Sequence, residues 1–148
     1  MTRTNARELV VHLIYEMNTT GAGADEALAI RFAENYYPTL AEENELYGEK
    51  PKQKQLEYIR QTAAGVAEKR EELDGFIRQY AIGWRLERIS RLARAIMELA
   101  IYEILYVEDV PTGAAISEAV ELARRYEDED VVSFVNGVLG SFARENAK

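Results

Sequence analysis

Residues 95–105 read AIMELAIYEIL, and this stretch decides the fold. It is apolar nearly all the way round a helical wheel, with no glycine or proline to break it. A polar stripe accompanies it within Arg85 to Val107, made of Arg91, Arg94, Glu98 and Tyr102 at steps of three and four. A helix hydrophobic on most of its circumference must be covered by others on several sides, so it belongs in the middle of a helical bundle.

The flanks agree. Downstream, Val110-Pro111 forces a turn, after which AAISEAVELARRY places Ala115, Ala119, Leu122 or Ala123, and Tyr126 on one face. A last helix is expected from Asp130 as N-cap, burying Val131, Val135, Val138 and Phe142. Upstream, Leu56, Ile59, Ala63, Val66, Arg70, Leu73, Ile77 and Tyr80 form one narrow apolar seam on a long helix beginning near Lys52. Asp74-Gly75 is the place within it where a bend or break is expected, since an interior glycine costs about 1 kcal/mol relative to alanine.

Towards the start, a helix is expected over about Asn5 to Met17, ended by Gly21 and Gly23. A second opens near Asp25 and carries Leu28, Phe32 and Tyr36 up to Pro38. The glutamate-rich stretch from Pro38 to Pro51 reads as a solvated, peripheral connection, either irregular or carrying a helical turn. No run of period-two alternation appears, so the fold class is all-α with six or seven helices. One domain of 148 residues is expected, with two helical subdomains at approximately 1–82 and 83–148.

Composition narrows the chemistry. Absence of cysteine excludes disulfides and thiolate metal sites. The opening residues hold only a short apolar run interrupted by His12, too short for a signal or a membrane span, so a cytoplasmic location is expected. A formal charge of −8 makes non-specific attraction to nucleic acid weak, and any RNA contact must be local. One basic cluster offers it: Arg78, Arg85, Arg88, Arg91 and Arg94 are opposed within their span only by Glu87. It reads as a phosphate track or as a solvated helix face. His12, the only histidine, has Glu8 and Glu16 within helical reach and reads as a surface residue paired with them rather than as a catalytic base. No nucleophile, metal cluster or phosphate-binding glycine loop accompanies it, so neither catalytic residues, metal nor cofactor are expected.

Three stretches taken together, NAREL...HLIY at 5–15, IMELAIYEILYVEDVP at 96–111 and ISEAVELARRY...FVNGVL at 116–139, resemble the NusB family of transcription antitermination factors. The match covers most of the chain. It implies a fold of two packed helical subdomains and a non-enzymatic role: binding boxA-type single-stranded RNA together with NusE, a small-subunit ribosomal protein, and modifying the RNA polymerase elongation complex on ribosomal RNA operons. A homodimer is compatible with it. The alternative is a NusB-like scaffold that keeps the protein contacts with little RNA binding.

Carried across residue by residue, the resemblance implies RNA contacts from Arg3 and Arg7 in the N-terminal arm and from Arg124, Arg125, Tyr126, Asp130 and Phe134 further on. Tyr126 and Phe134 read equally as core. Arg124 and Arg125 stand among Glu121, Glu127, Asp128, Glu129 and Asp130, where a solvated helix end also explains them. Tyr15 matches the family's first-helix tyrosine and, with Glu98 and Tyr102, is expected to meet a protein partner. Asn136 and Gly137 are expected to be structural: the asparagine anchors a neighbouring backbone, and the glycine admits a close helix. Departures from the family pattern include Glu98 where arginine is common and Ser133 where a basic residue is common.

Overall fold

The computed structural model describes residues 1–33, 37–41 and 44–146. Seven α-helical segments and two 3₁₀ turns run through them, with no strand among the described residues. The chain divides into two compact units, Met1–Glu68 and Lys69–Lys148. That divide falls inside a helix, whereas the sequence placed it at the turn near Gly83. The physical reason lies in the end of that helix, where Phe76 and Tyr80 pack edge-on against Phe142 at 4.9 and 6.0 Å between ring centres and so belong with the second unit.

In the first unit, α1 (Arg3–Thr20) starts on Thr2, whose hydroxyl accepts from the Asn5 amide at 3.0 Å. It stops at Gly21, where φ is +80° and the amide donates to the Met17 carbonyl. Only glycine takes that conformation without strain. Helix α2 (Ala24–Arg31) follows, capped by Gly23 with Asp25 in its first turn rather than at the cap. Tyr36, expected on this helix, lies outside the described residues.

The stretch between the prolines is not a peripheral connection. It forms the short helix α3 (Tyr37–Leu40) and a 3₁₀ turn (Glu45–Gly48), and Tyr37, Leu46 and Tyr47 are buried. Tyr37 and Tyr47 meet edge-on at 5.3 Å, and the Tyr37 hydroxyl donates to the Glu49 carbonyl at 2.9 Å. These apolar anchors stand among acidic residues and carry no period of their own in the sequence.

His12 is also placed differently from expectation. It stacks on Tyr47, and its Nδ1 lies 2.6 Å from the Tyr47 hydroxyl. Arg31 donates to the same hydroxyl at 3.0 Å and to Glu16 at 3.3 Å, so α1, α2 and the 3₁₀ turn share one polar network. Burial lowers the His12 pKa to about 4, with the Arg31 charge adding to the effect and Glu8 opposing it. The ring is therefore neutral at pH 7, consistent with Nδ1 accepting from the tyrosine.

Helix α4 (Gln53–Tyr80) is continuous through Asp74-Gly75. Its expected seam is realised: Ile59, Ala63, Val66, Leu73 and Ile77 are all buried. Asp74 is buried as well and is held by an arginine of the second unit's central helix, which offsets the weakness expected there.

In the second unit, α5 (Arg91–Tyr106), α6 (Thr112–Tyr126) and α7 (Glu129–Asn146) pack on one another. Ile96, Met97, Ile101 and Ile104 of α5 are fully or almost fully buried, as the opening stretch of sequence required. Helix α7 begins at Glu129, with the Asp128 carboxylate accepting from the Val131 amide at 3.1 Å, so Asp128 and not Asp130 caps it. The helix consequently turns Val132, Val135, Val138, Leu139 and Phe142 inward, while Val131 is only half-buried.

Candidate nucleic-acid interface

The connection from α4 to α5 borders a recess of the second unit. Gly83 takes φ +84°, a turn a side chain would strain, and it is followed by Trp84, which is 56% exposed. A 3₁₀ turn, Leu86–Arg88, then buries Leu86 and Ile89 beneath it and leaves Arg85 and Arg88 in solvent. Trp84 meets Phe134 of α7 at 5.2 Å with the rings tilted by 53°. The two aromatics border a cleft of about 290 Å³ whose other walls are Arg88, Ile89, Ser90, Ala93, Asp130 and Val131.

Ser90 fixes the floor of that cleft. Its hydroxyl caps α5 by accepting from the Ala93 amide at 3.3 Å and donates to Glu127 at 2.6 Å. One side chain thus joins the start of α5 to the turn between α6 and α7. Asp130, Val131 and Phe134 lie on the flank of α7 that faces this recess, as the one-turn spacing of positions 130, 131 and 134 requires.

Arg85, Arg88 and Arg91 are exposed, but Arg94 is not the fourth member of the row. Its guanidinium donates to both carboxylate oxygens of Asp74 at 2.6 and 3.3 Å and lies 3.6 Å from Glu98. Burial works against its charge, yet the Asp74 hydrogen bonds and the charges of Asp74 and Glu98 outweigh that and raise its pKa. A helix cannot present every third residue to one groove over this length; the row is turned inward after one turn of α5.

The residues singled out by resemblance fall into several groups. Phe134 and Asp130 share the cleft just described. Tyr126 ends α6 and is 37% exposed, which removes it from the core. Arg124 and Arg125 are exposed in the same last turn, with Arg124 paired to Glu121. Two of the neighbouring acids are engaged in structure, Glu127 with Ser90 and Asp128 at the cap of α7. In the first unit Arg3 is exposed and lies over the Tyr58 ring at 4.1 Å, and Tyr15 is 41% exposed.

Four expectations need correction. Arg7 is buried, at 7% exposure, so it is not available as an open phosphate contact. Glu98 is fully buried beside Arg94 and is withdrawn from any partner surface; Tyr102, its neighbour on the stripe, is half-buried against Tyr106 at 5.3 Å. Asn136 is exposed, on the wall of a shallow groove of about 390 Å³ shared with Ile116, Val120 and Arg124, rather than buried as an anchor. Gly137 is exposed, and a Cβ at this position would meet nothing within 4 Å, so no close helix approach explains it. Asn136 and Gly137 sit opposite the buried face of α7, where a register beginning at Asp128 puts them.

Trp84 and Ser90 are not singled out by the sequence. A lone aromatic after a glycine has no periodic context, and Ser90 shows there only as the residue before the central helix.

Among the described residues no group of three or more histidine, cysteine, aspartate or glutamate side chains is placed to hold a metal ion. No helix among them is long and apolar enough to cross a membrane.

Comparison with known proteins gives one consistent result. Residues 4–144 match the NusB family. A transcription antitermination protein NusB from Symbiobacterium thermophilum is 39% identical over 144 residues, spanning 97% of this chain and 90% of that protein. One from Thermoanaerobacter sp. is 37% identical over 145 residues, spanning 98% and 92%. Among solved structures, T. maritima NusB superimposes with a TM-score of 0.82 at 28% identity, over 100% of this chain and 94% of that one. The antitermination factor NusB solved with NusE in complex with dsRNA has a TM-score of 0.76 at 22% identity, over 97% of each chain, and shows the same fold.

Proposed function

The chain belongs to the NusB family of transcription antitermination proteins, and from that premise we propose that it binds boxA-type single-stranded RNA together with NusE and modifies the RNA polymerase elongation complex on ribosomal RNA operons. In this reading it acts by binding alone, in the cytoplasm, and makes or breaks no bond.

The observation that carries the reading is the pairing of Trp84 with Phe134 beside exposed Arg85, Arg88 and Arg91. Proteins hold single-stranded RNA by stacking unpaired bases on aromatic rings while cations neutralise the phosphates. On a chain of net charge −8, such a patch supplies the local field that the whole molecule does not. Arg124, Arg125 and Tyr126 at the end of α6, Asp130 and Phe134 on α7, and Arg3 in the first unit are proposed as further RNA contacts. Tyr15 and Tyr102 are proposed to meet NusE.

The test is transcription in vitro through a terminator placed downstream of boxA, with NusE present. Adding the chain is expected to raise readthrough on the boxA template and not on one with boxA scrambled. Equal readthrough on both templates overturns the proposal.

A further inference from the structure

We infer that Tyr58 of α4 is a positioning residue for Arg3: its ring carries the guanidinium by the face and leaves the N–H donors at the edge open to a phosphate of the RNA. This rests on the RNA-binding reading above and adds to it the residue that sets one phosphate contact in place.

Both residues belong to the first unit. Arg3 opens α1 and Tyr58 lies early in α4, so the contact ties two helix beginnings together. The guanidinium carbon of Arg3 sits 4.1 Å from the centre of the Tyr58 ring. A guanidinium lying flat on a ring fits that spacing, whereas one aiming an N–H at the ring would hold its carbon farther off. A cation held through its π face keeps its in-plane N–H donors, and these are the groups that grip a phosphate in pairs. The platform is itself fixed, since Tyr58 is half-buried next to the fully buried Ile59, while Arg3 is exposed.

Other arginines are held in a different way. Arg31, Arg94 and Arg124 give their donors to Glu16, Asp74 and Glu121 of the same chain, which occupies the fork and offsets the charge. Arg3 is held by a ring instead, which does neither. Arg7, one turn further along α1, is buried, so Arg3 is the arginine that the start of this helix offers to solvent. It needs a hold there. The N-terminal end of a helix repels a cation, and the first turn of α1 has no acidic residue to offset this. A loose arginine would also give up rotamer freedom on meeting a phosphate, and the ring contact removes part of that cost in advance.

The test is fluorescence anisotropy with the full chain, NusE and a labelled boxA RNA over a range of salt concentrations. Arg3→Ala is expected to weaken binding and to lower the slope of log affinity against log salt by about 0.7, the loss of one phosphate contact on a single strand. Removing the ring with Tyr58→Leu is expected to weaken binding about 2- to 5-fold, the loss of one exposed cation–π contact, with the slope kept because no charge is lost. Tyr58→Phe keeps the ring and should bind like the parent. In the Arg3→Ala background Tyr58→Leu should weaken binding no further, since the ring acts only through the arginine. Tyr58→Gln is made alongside Tyr58→Leu, and circular dichroism selects the one folded as the parent.

An equal loss from the ring-less variant with and without Arg3 overturns the inference, because Tyr58 then acts on its own. Parent-like affinity of the ring-less variant, or a Tyr58→Phe affinity as weak as that variant's, overturns it as well. In each of these cases the RNA-binding reading survives. Binding of no RNA by the parent chain, with NusE present, removes the reading beneath it too.

Discussion

Arg94 of α5 grips Asp74 of α4 through two parallel hydrogen bonds of 2.6 and 3.3 Å while lying 3.6 Å from Glu98, so one partly covered guanidinium serves two buried carboxylates. The arrangement explains how a buried aspartate beside Gly75 is tolerated within an unbroken helix. Arg94→Met should take from both acids the cation they face and lower unfolding stability by about 3–5 kcal/mol, the cost of breaking a buried pair from one side. Urea unfolding followed by far-ultraviolet circular dichroism measures it, and a loss below about 1 kcal/mol would mean that the pair is not structural.

His12 predicts a pH dependence. Its folded pKa is about 4 against an ordinary 6.5, so between those values the unfolded chain binds the extra proton. The contribution is fully present above pH 6.5 and is lost as pH falls towards 4. The melting temperature should therefore drop from about pH 7 to about pH 5, and His12→Gln, which keeps an acceptor for Tyr47, should flatten that part of the profile. An unchanged slope would show that the ring titrates normally.

Gly137 predicts a gain. It lies in the interior of α7, exposed, with open space for at least 4 Å around the place a methyl group would take. Gly137→Ala should raise stability by about 0.5–1 kcal/mol through helix propensity and a less free unfolded chain. Thermal melts of the two proteins side by side measure it, and a loss would reveal a contact that requires glycine.

The course of α4 and α5 was legible because periodicity survives in sequence: Ile59, Ala63, Val66, Leu73 and Ile77 announce one buried face, and Ile96 to Ile104 announce a helix covered on most sides. The 44–49 turn was not, since Leu46 and Tyr47 are isolated anchors among acids and no repeat marks them as buried. Burial of Arg7, Asp74 and Glu98 was hidden for a related reason. A charge can enter the interior only where a partner meets it, and the 20 residues separating Arg94 from Asp74 carry no local sign of that meeting. Of the candidate site, Phe134 and Asp130 came from the family resemblance. Trp84 emerged only when the turn at Gly83 set it against Phe134.

Sequence-selective recognition of single-stranded RNA by this acidic chain acting with NusE is decided by affinities measured side by side. With NusE present, fluorescence anisotropy should give tighter binding to a boxA RNA than to a scrambled RNA of the same composition, with the affinity falling as salt rises because counterions are released. Equal, weak binding to both RNAs would contradict the account and leave a helical scaffold that keeps its protein contacts alone.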